Sequence, residues 1–340
     1  MIKKIHLTNF RCFDDISFDT YNSLVILSGK NATGKSSTLE SIYICTTSKS
    51  YRENDLDLVI KDGCNNSIIE IEDEKKFKIV ISKEGNSYFY NKKQYKKIAD
   101  FIGNIKVVIF SPYDLNLING GKSFRRRFLD LNISLIDKNY LNAFRSYKKL
   151  LHERNEYLKQ NNIDEKYLNV ITESLIKYLK DILNARVNFI FELNSYLEKI
   201  CLDMEIEKIS LNYIKTYGED ILKSFNDKLR YDMLTKSTNI GIHRDDLEIL
   251  INGKDSKSFA SEGQARTAVL ALKLALINYI KEKTNVEPIV LLDDVFAALD
   301  NTRIVKITNY IKGFKQAFIT TTSTLGIPDE LLKNSLVIRL

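Results

Sequence analysis

The sequence is short of the residues that build metal clusters and membrane spans. Its four cysteines, Cys12, Cys45, Cys64 and Cys201, are scattered, with no C-x-x-C pair and no histidine pair nearby. That spacing argues against zinc and reads as reduced thiols in a cytosol. No apolar run approaches the roughly 18 residues needed to cross a bilayer. Met1 to His6 breaks at once into mixed polarity, so no signal-peptide core is expected and the expected location is the cytoplasm, without a membrane partner. Internal repeats and low-complexity linkers are also missing, and no helix-turn-helix or zinc-finger spacing points to base-specific readout of nucleic acid. Glycine and proline are both absent from Phe124 to Ile200, which leaves a long stretch free of helix breakers.

What is present describes a globular protein with a large core. Hydrophobic residues make up 44% and charged residues 28% of 340 positions, enough for two domains or one domain with a large insertion. The net charge of +7 permits an acidic partner such as nucleic acid without requiring one.

The most informative segment is Gly29, Lys30, Asn31, Ala32, Thr33, Gly34, Lys35, Ser36 and Ser37, which fits G-x-x-x-x-G-K-[S/T]. It follows the β-prone run Leu24 to Ser28 and runs into a helix-compatible stretch, the context in which a phosphate loop works. The two glycines let the backbone turn its N–H groups inward, and the helix start aims further N–H groups at the same anion. Lys35 is expected to reach the β- and γ-phosphates of ATP, and Ser36 to ligate Mg²⁺.

Taken in order, strands are expected at 2–8, 16–19 and 24–28, then an antiparallel meander at 67–72, 76–82 and 86–90, and a short strand at 106–110. Helical spacing of apolar residues from about Phe124 to Ile200 predicts a helical arm. A strand at 209–214, a helix at about 219–235, a hairpin of 247–251 with Ser258-Phe259, and a long helix from Gly263 to Lys283 follow. Strands at 289–292, 317–321 and 336–339 and a helix near 301–312 complete the chain. The expected fold is therefore α/β, an ATPase head with an inserted, mostly helical arm (lid): head at 1–121, arm at 122–235, head again at 236–340.

Ile289 to Leu292 reads as a strand buried on both faces, and Asp293 and Asp294 stand at its C-terminal edge, where open α/β sheets place ligands. Asp293 is expected to hold Mg²⁺ and Asp294 to orient or deprotonate the attacking water. Ser261 reads as an N-cap, and Ser-x-Gly at a helix start exposes N–H groups that suit a phosphate. Between Lys122 and Arg154 there are nine Lys/Arg against three Asp/Glu, and Lys92, Lys93, Lys96 and Lys97 form a second cluster. Such runs are usually solvated faces; they can instead hold DNA phosphates, and Arg125 to Arg127 can alternatively brace the arm on the head.

The order of these segments resembles ABC-type ATPases, with Ser261, Gly263 and Gln264 as the signature motif some 30 residues ahead of the acids and Leu299-Asp300 as the D-loop. More specifically, the chain resembles the RecF family of bacterial recombination-mediator ATPases, within the SMC/ABC superfamily, over nearly its whole length. The resemblance is carried by Leu7 to Arg11, the phosphate loop, Phe110 to Leu115, Arg125 to Asp130, Gly241 to Asp246, Ser261 to Thr267, Leu291 to Asp300 and Gln316 to Thr322. Ile242 stands where the family favours proline, Ala32-Thr33 replaces a glycine-containing pair, and Asn119 to Gly121 varies the loop before the arginines. Thr320 to Thr322 occupies the place of the switch histidine of transporters, which makes Thr320 a catalytic candidate. Asp294 is one methylene shorter than the glutamate of related transport ATPases, so slow hydrolysis is expected.

The resemblance implies a signature motif that closes over ATP held by a second copy, and hence an ATP-dependent homodimer. It implies gapped or single-strand/double-strand junction DNA, a RecR partner and RecA loading. Alternatives are an ABC module energising a membrane partner and a non-hydrolysing, ATP-switched DNA scaffold.

Overall fold

The structure, a computed structural model, describes residues 1–95, 98–296, 301–324 and 327–340, with backbone alone at 99, 100, 301 and 302. In chain order, β1 (Lys4–Phe10), β2 (Phe13–Asp19) and β3 (Leu24–Ser28) precede α1 (Lys35–Thr47). Next come β4 (Asn66–Glu72), β5 (Lys76–Ser82), β6 (Ser87–Tyr90), β7 (Lys93–Tyr95), α2 (Ile98–Phe101) and β8 (Val107–Phe110). The middle of the chain gives α3 (Asn116–Asn119), α4 (Lys122–Ile136), α5 (Lys138–Tyr157), α6 (Glu165–Asp203), β9 (Ile209–Ile214), α7 (Ile221–Thr235), β10 (Asp246–Ile251), β11 (Lys254–Asp255) and α8 (Ser256–Phe259). The last part is α9 (Glu262–Thr284), β12 (Ile289–Leu292), α10 (Asn301–Lys312), β13 (Ala317–Thr321), α11 (Asp329–Lys333) and β14 (Leu336–Arg339).

Two compact units result, Met1–Asp114 with Leu276–Leu340, and Leu115–Ala275. The first contains two sheets. One is a six-stranded antiparallel sheet, β2-β1-β4-β5-β6-β7, whose alternating residues Ile5, Leu7, Ile69, Ile71, Phe77, Ile79 and Ile81 are buried on one face. The other is a five-stranded sheet, β14-β3-β13-β12-β8, in which every neighbouring pair is parallel. The buried runs Leu24–Leu27, Val107–Phe110 and Ile289–Leu292 are what a parallel sheet covered on both faces demands. Helix α1 is buried almost all round, including Lys35, Ser37, Thr38, Glu40 and Ser41, so its polar side chains must find partners inside.

The second unit holds helices α3 to α8 and a three-stranded sheet, β11-β10-β9. Asp137, Asp164 and Asp220 cap α5, α6 and α7 through side-chain carboxylates that accept backbone N–H groups. Helix α6 runs 39 residues, about 58 Å at 1.5 Å per residue, as the glycine- and proline-free stretch allows. Buried ion pairs tie the unit together: Arg154 donates to Asp232 at 2.8 Å and Arg186 to Asp130 at 2.6 Å.

One expectation is corrected here, the hairpin. Within the second unit β9 pairs with β10 over six residues, from Ile209↔Ile251 to Ile214↔Asp246. The hairpin partner of β10 is Lys254–Asp255, with Asn252 and Gly253 at φ 49° and 76° in the turn. Ser258-Phe259 belongs instead to a helical turn, which Asp255 initiates by accepting the Lys257 N–H at 3.2 Å. Two members of the basic run are buried. Arg125 is buried and donates through Nε and Nη2 to Asp246 at 2.8 and 3.1 Å, and Arg154 is spent on Asp232. Arg145, Lys148 and Lys149 remain exposed on α5, and Lys92 and Lys93 are exposed; Lys96 and Lys97 lie outside the described residues.

Candidate nucleotide site

Strand order assembles the site. β13 lies between β3 and β12, with Thr321 opposite Ser28 and Ile319 opposite Leu292. The loop after β3, the end of β13 and the acids after β12 therefore open side by side at the C-terminal edge of the sheet.

In the loop, Gly34 has φ 99°, and a methyl group there would come within 2.2 Å of Phe13 Cζ and 2.9 Å of Cys12 Sγ. Both the left-handed backbone and the close approach call for glycine. Ala32 also takes a left-handed conformation, φ 67°, without that relief. Lys35 is buried, and its Nζ donates to the carbonyls of Gly29 at 2.9 Å and Lys30 at 2.7 Å. Thr33 Oγ1 donates to Lys30 O at 3.0 Å. Thr38 closes the first turn of α1 by donating its N–H to Gly34 O at 2.9 Å.

Asp293 is the hub of the acid side. Its Oδ1 accepts from Ser36 Oγ at 2.7 Å and Thr320 Oγ1 at 2.8 Å, and its Oδ2 accepts from the Tyr51 hydroxyl at 2.8 Å. Tyr51 also donates to Ser36 O at 3.2 Å; burial, and then the Asp293 charge, push its pKa well above the usual phenol value, so it stays a donor. Asp294 has φ 50°, and its N–H donates to Thr320 Oγ1 at 2.9 Å. One threonine hydroxyl thus joins both acids. Burial first, and the neighbouring Asp293 charge second, raise the Asp294 carboxyl above its ordinary pKa, with Lys35 opposing. A cleft of about 480 Å³ is lined by Arg11, Asn31, Lys35, Ser36, Arg52 and Asp294, among others.

Lys35, Ser36, Asp293, Asp294 and Thr320 are therefore in one place, together with the loop Gly29 to Ser37. The hard oxygens of Ser36 and Asp293, already within hydrogen-bond distance of each other, are a donor set that suits Mg²⁺. Tyr51, Arg11 and Arg52 are site residues that the reading of motifs did not assign. Arg11 was visible only as part of a family-like segment; Tyr51 and Arg52 carry no local signal.

Ser261, Gly263 and Gln264 belong to the second unit and open α9. Ser261 N–H donates to Gln264 Oε1 at 2.9 Å and Gln264 N–H to Ser261 Oγ at 3.2 Å, a reciprocal capping box. Gln264 Nε2 donates to Glu207 at 3.1 Å. Ser261 is exposed, and a methyl group on Gly263 would meet no atom of the described residues within 4 Å. Asp300 lies outside the described residues.

The family model described as RecF/RecN/SMC N terminal domain matches residues 1–329. The chain is 39% identical to the DNA replication and repair protein RecF of Acholeplasma laidlawii, over 94% of this chain and 93% of that protein. It is 35% identical to the RecF of Oenococcus oeni, over 98% and 96% of the two chains. A solved structure of the recombination mediator protein RecF-ATP in the RecFOR pathway superposes with a TM-score of 0.90 at 32% identity, covering 96% of this chain and 93% of that one. An Smc head domain of Pyrococcus furiosus, at 18% identity and TM-score 0.54, shares the fold. Among the described residues no helix is long and apolar enough to cross a membrane.

Proposed function

The chain belongs to the RecF family, and on that premise we propose that it is an ATP-operated DNA repair protein that dimerises on ATP and acts on gapped or junction DNA. Slow hydrolysis releases it. A RecR partner, RecA loading and action in the cytoplasm follow from the same reading, which leaves no room for a module that energises a membrane partner.

The observation that carries the nucleotide part is the 2.7 Å contact between Ser36 Oγ and Asp293 Oδ1, two ligand types brought together from opposite ends of the chain beside a glycine-built loop. On ATP binding, Lys35 exchanges the Gly29 and Lys30 carbonyls for phosphate oxygens. Ser36 and Asp293 hold Mg²⁺, which supplies charge neutralisation to the phosphates. Asp294 orients the attacking water and takes its proton, a task suited to a carboxyl whose pKa lies above the usual range. Thr320 fixes both acids relative to one another. Among the described residues Gly263 has open space around it, which supports a role for it, with Ser261 and Gln264, against the nucleotide of a second copy. Asp300 would join that face.

Sedimentation velocity with and without ATP tests the reading. The wild-type chain is expected to dimerise only with ATP, Lys35→Ala to remain monomeric, and Ser261→Arg to bind ATP and remain monomeric. Equal dimerisation of Lys35→Ala and wild type would overturn it. Binding to gapped duplex should fall by about 0.9 log unit per log unit of salt for each phosphate contact.

A further inference from the structure

Behind the cleft lies a carboxylate that no motif contains. Glu40 sits on α1, five residues past Lys35, and its side chain is 0% exposed. It accepts from Arg11 Nε at 3.0 Å and Arg11 Nη2 at 2.7 Å, a two-point grip on one guanidinium. It also accepts from Arg52 Nη1 at 3.4 Å and Ser50 Oγ at 2.5 Å. Arg11 is held further by Leu58 O at 3.1 Å and Glu53 at 3.4 Å. Both arginines line the same cleft as the phosphate loop.

Ser50 in turn accepts the N–H groups of Arg52 and Glu53, each at 2.9 Å, which shapes the turn that places Tyr51 on Asp293. One buried acid thus anchors two guanidiniums and the strap Ser50-Tyr51-Arg52. A lone carboxylate taken fully out of water is costly unless several donors compensate it. Here four donor contacts do so, one from the Ser50 hydroxyl and three from two guanidiniums that reach the cleft.

We propose that Glu40 is a positioning residue for the nucleotide: it aims Arg11 and Arg52 at the phosphates and sets the strap that reaches the metal-side acid. This deepens the reading that the cleft holds ATP and rests on it.

The test titrates the full chain with a fluorescent ATP analogue and Mg²⁺. Glu40→Gln keeps the volume but loses the charge and half the acceptors; it should weaken binding about tenfold. Adding Arg52→Ala to Glu40→Gln should cost less than about twofold more, because both act on one group. Ser50→Ala, a milder change, should weaken binding about threefold, and it carries the test alone if Glu40→Gln fails to fold. Folded Glu40→Gln that binds as tightly as wild type or tighter overturns the proposal, as does full additivity with Arg52→Ala, or unchanged binding by Ser50→Ala. A wild-type chain that does not bind the analogue overturns the ATP reading itself, and this inference with it.

Discussion

Replacing Thr320 by valine isolates the junction between the two acids. The two side chains have nearly the same shape, and valine suits a strand at least as well as threonine, so β13 should be undisturbed. What disappears is one hydroxyl on a residue 1% exposed. It donates to Asp293 Oδ1 at 2.8 Å and accepts the Asp294 N–H at 2.9 Å. A hydrogen bond to a charged group is worth about 1.5–3 kcal/mol, and an N–H left without its partner costs about 1–3 kcal/mol. The two overlap at one atom, so about 3 kcal/mol is expected in total. At about 2–4 °C per kcal/mol for a cooperative unit of this size, the melting temperature should drop about 6–12 °C. Circular dichroism melts without nucleotide measure it, with Thr320→Ser, which keeps the hydroxyl, as the control. A Thr320→Val protein that melts within about 2 °C of wild type would refute the claim that this hydroxyl joins the acids.

Three further perturbations separate backbone from chemistry. Gly34→Ala puts a side chain into a left-handed position, about 1–2 kcal/mol, and drives its methyl against Phe13; nucleotide binding and several degrees of melting temperature should be lost together. Gly263→Ala meets no described residue of its own chain, so its melting temperature should hold while ATP-dependent dimerisation, measured by sedimentation, is impaired. Asp294→Asn should cut steady-state turnover by about 10²-fold or more from a wild-type rate of about one per second or slower, while keeping ATP-driven dimerisation. The Asp294 carboxyl is raised, so its base form is lost as pH falls through that raised value. The acid limb of the wild-type rate should therefore stand above the ordinary carboxylate pKa and vanish in Asp294→Asn. The stability sign is opposite: this carboxyl favours the folded state at low pH, and that contribution is lost as pH rises.

The phosphate loop and the acids were legible because each is a local pattern with its chemistry in adjacent residues. The sheet that joins them was legible from its fully apolar strands. Tyr51, Arg52 and Glu40 were not: Tyr51 meets Asp293 from 242 positions away, and Glu40 meets Arg11 and Arg52 from 29 and 12 positions away. The partners inside the basic run were hidden for the same reason: Arg125 finds Asp246, and Arg154 finds Asp232, 121 and 78 positions on. Ser258-Phe259 was expected as the second hairpin strand, but the Asp255 carboxylate starts a helical turn there. That phenylalanine remains 70% exposed.

The two neighbours of β3 in its sheet are β13 and β14, both made in the last part of the chain. During synthesis the greasy segment Leu24–Leu27 must therefore wait, with open edges, while nearly three hundred residues emerge. Such late, long-range closure slows folding and exposes sticky intermediates. Nascent chains stalled before residue 317 should accordingly depend on chaperones and lack any capacity to hold a nucleotide, however complete their loop sequence.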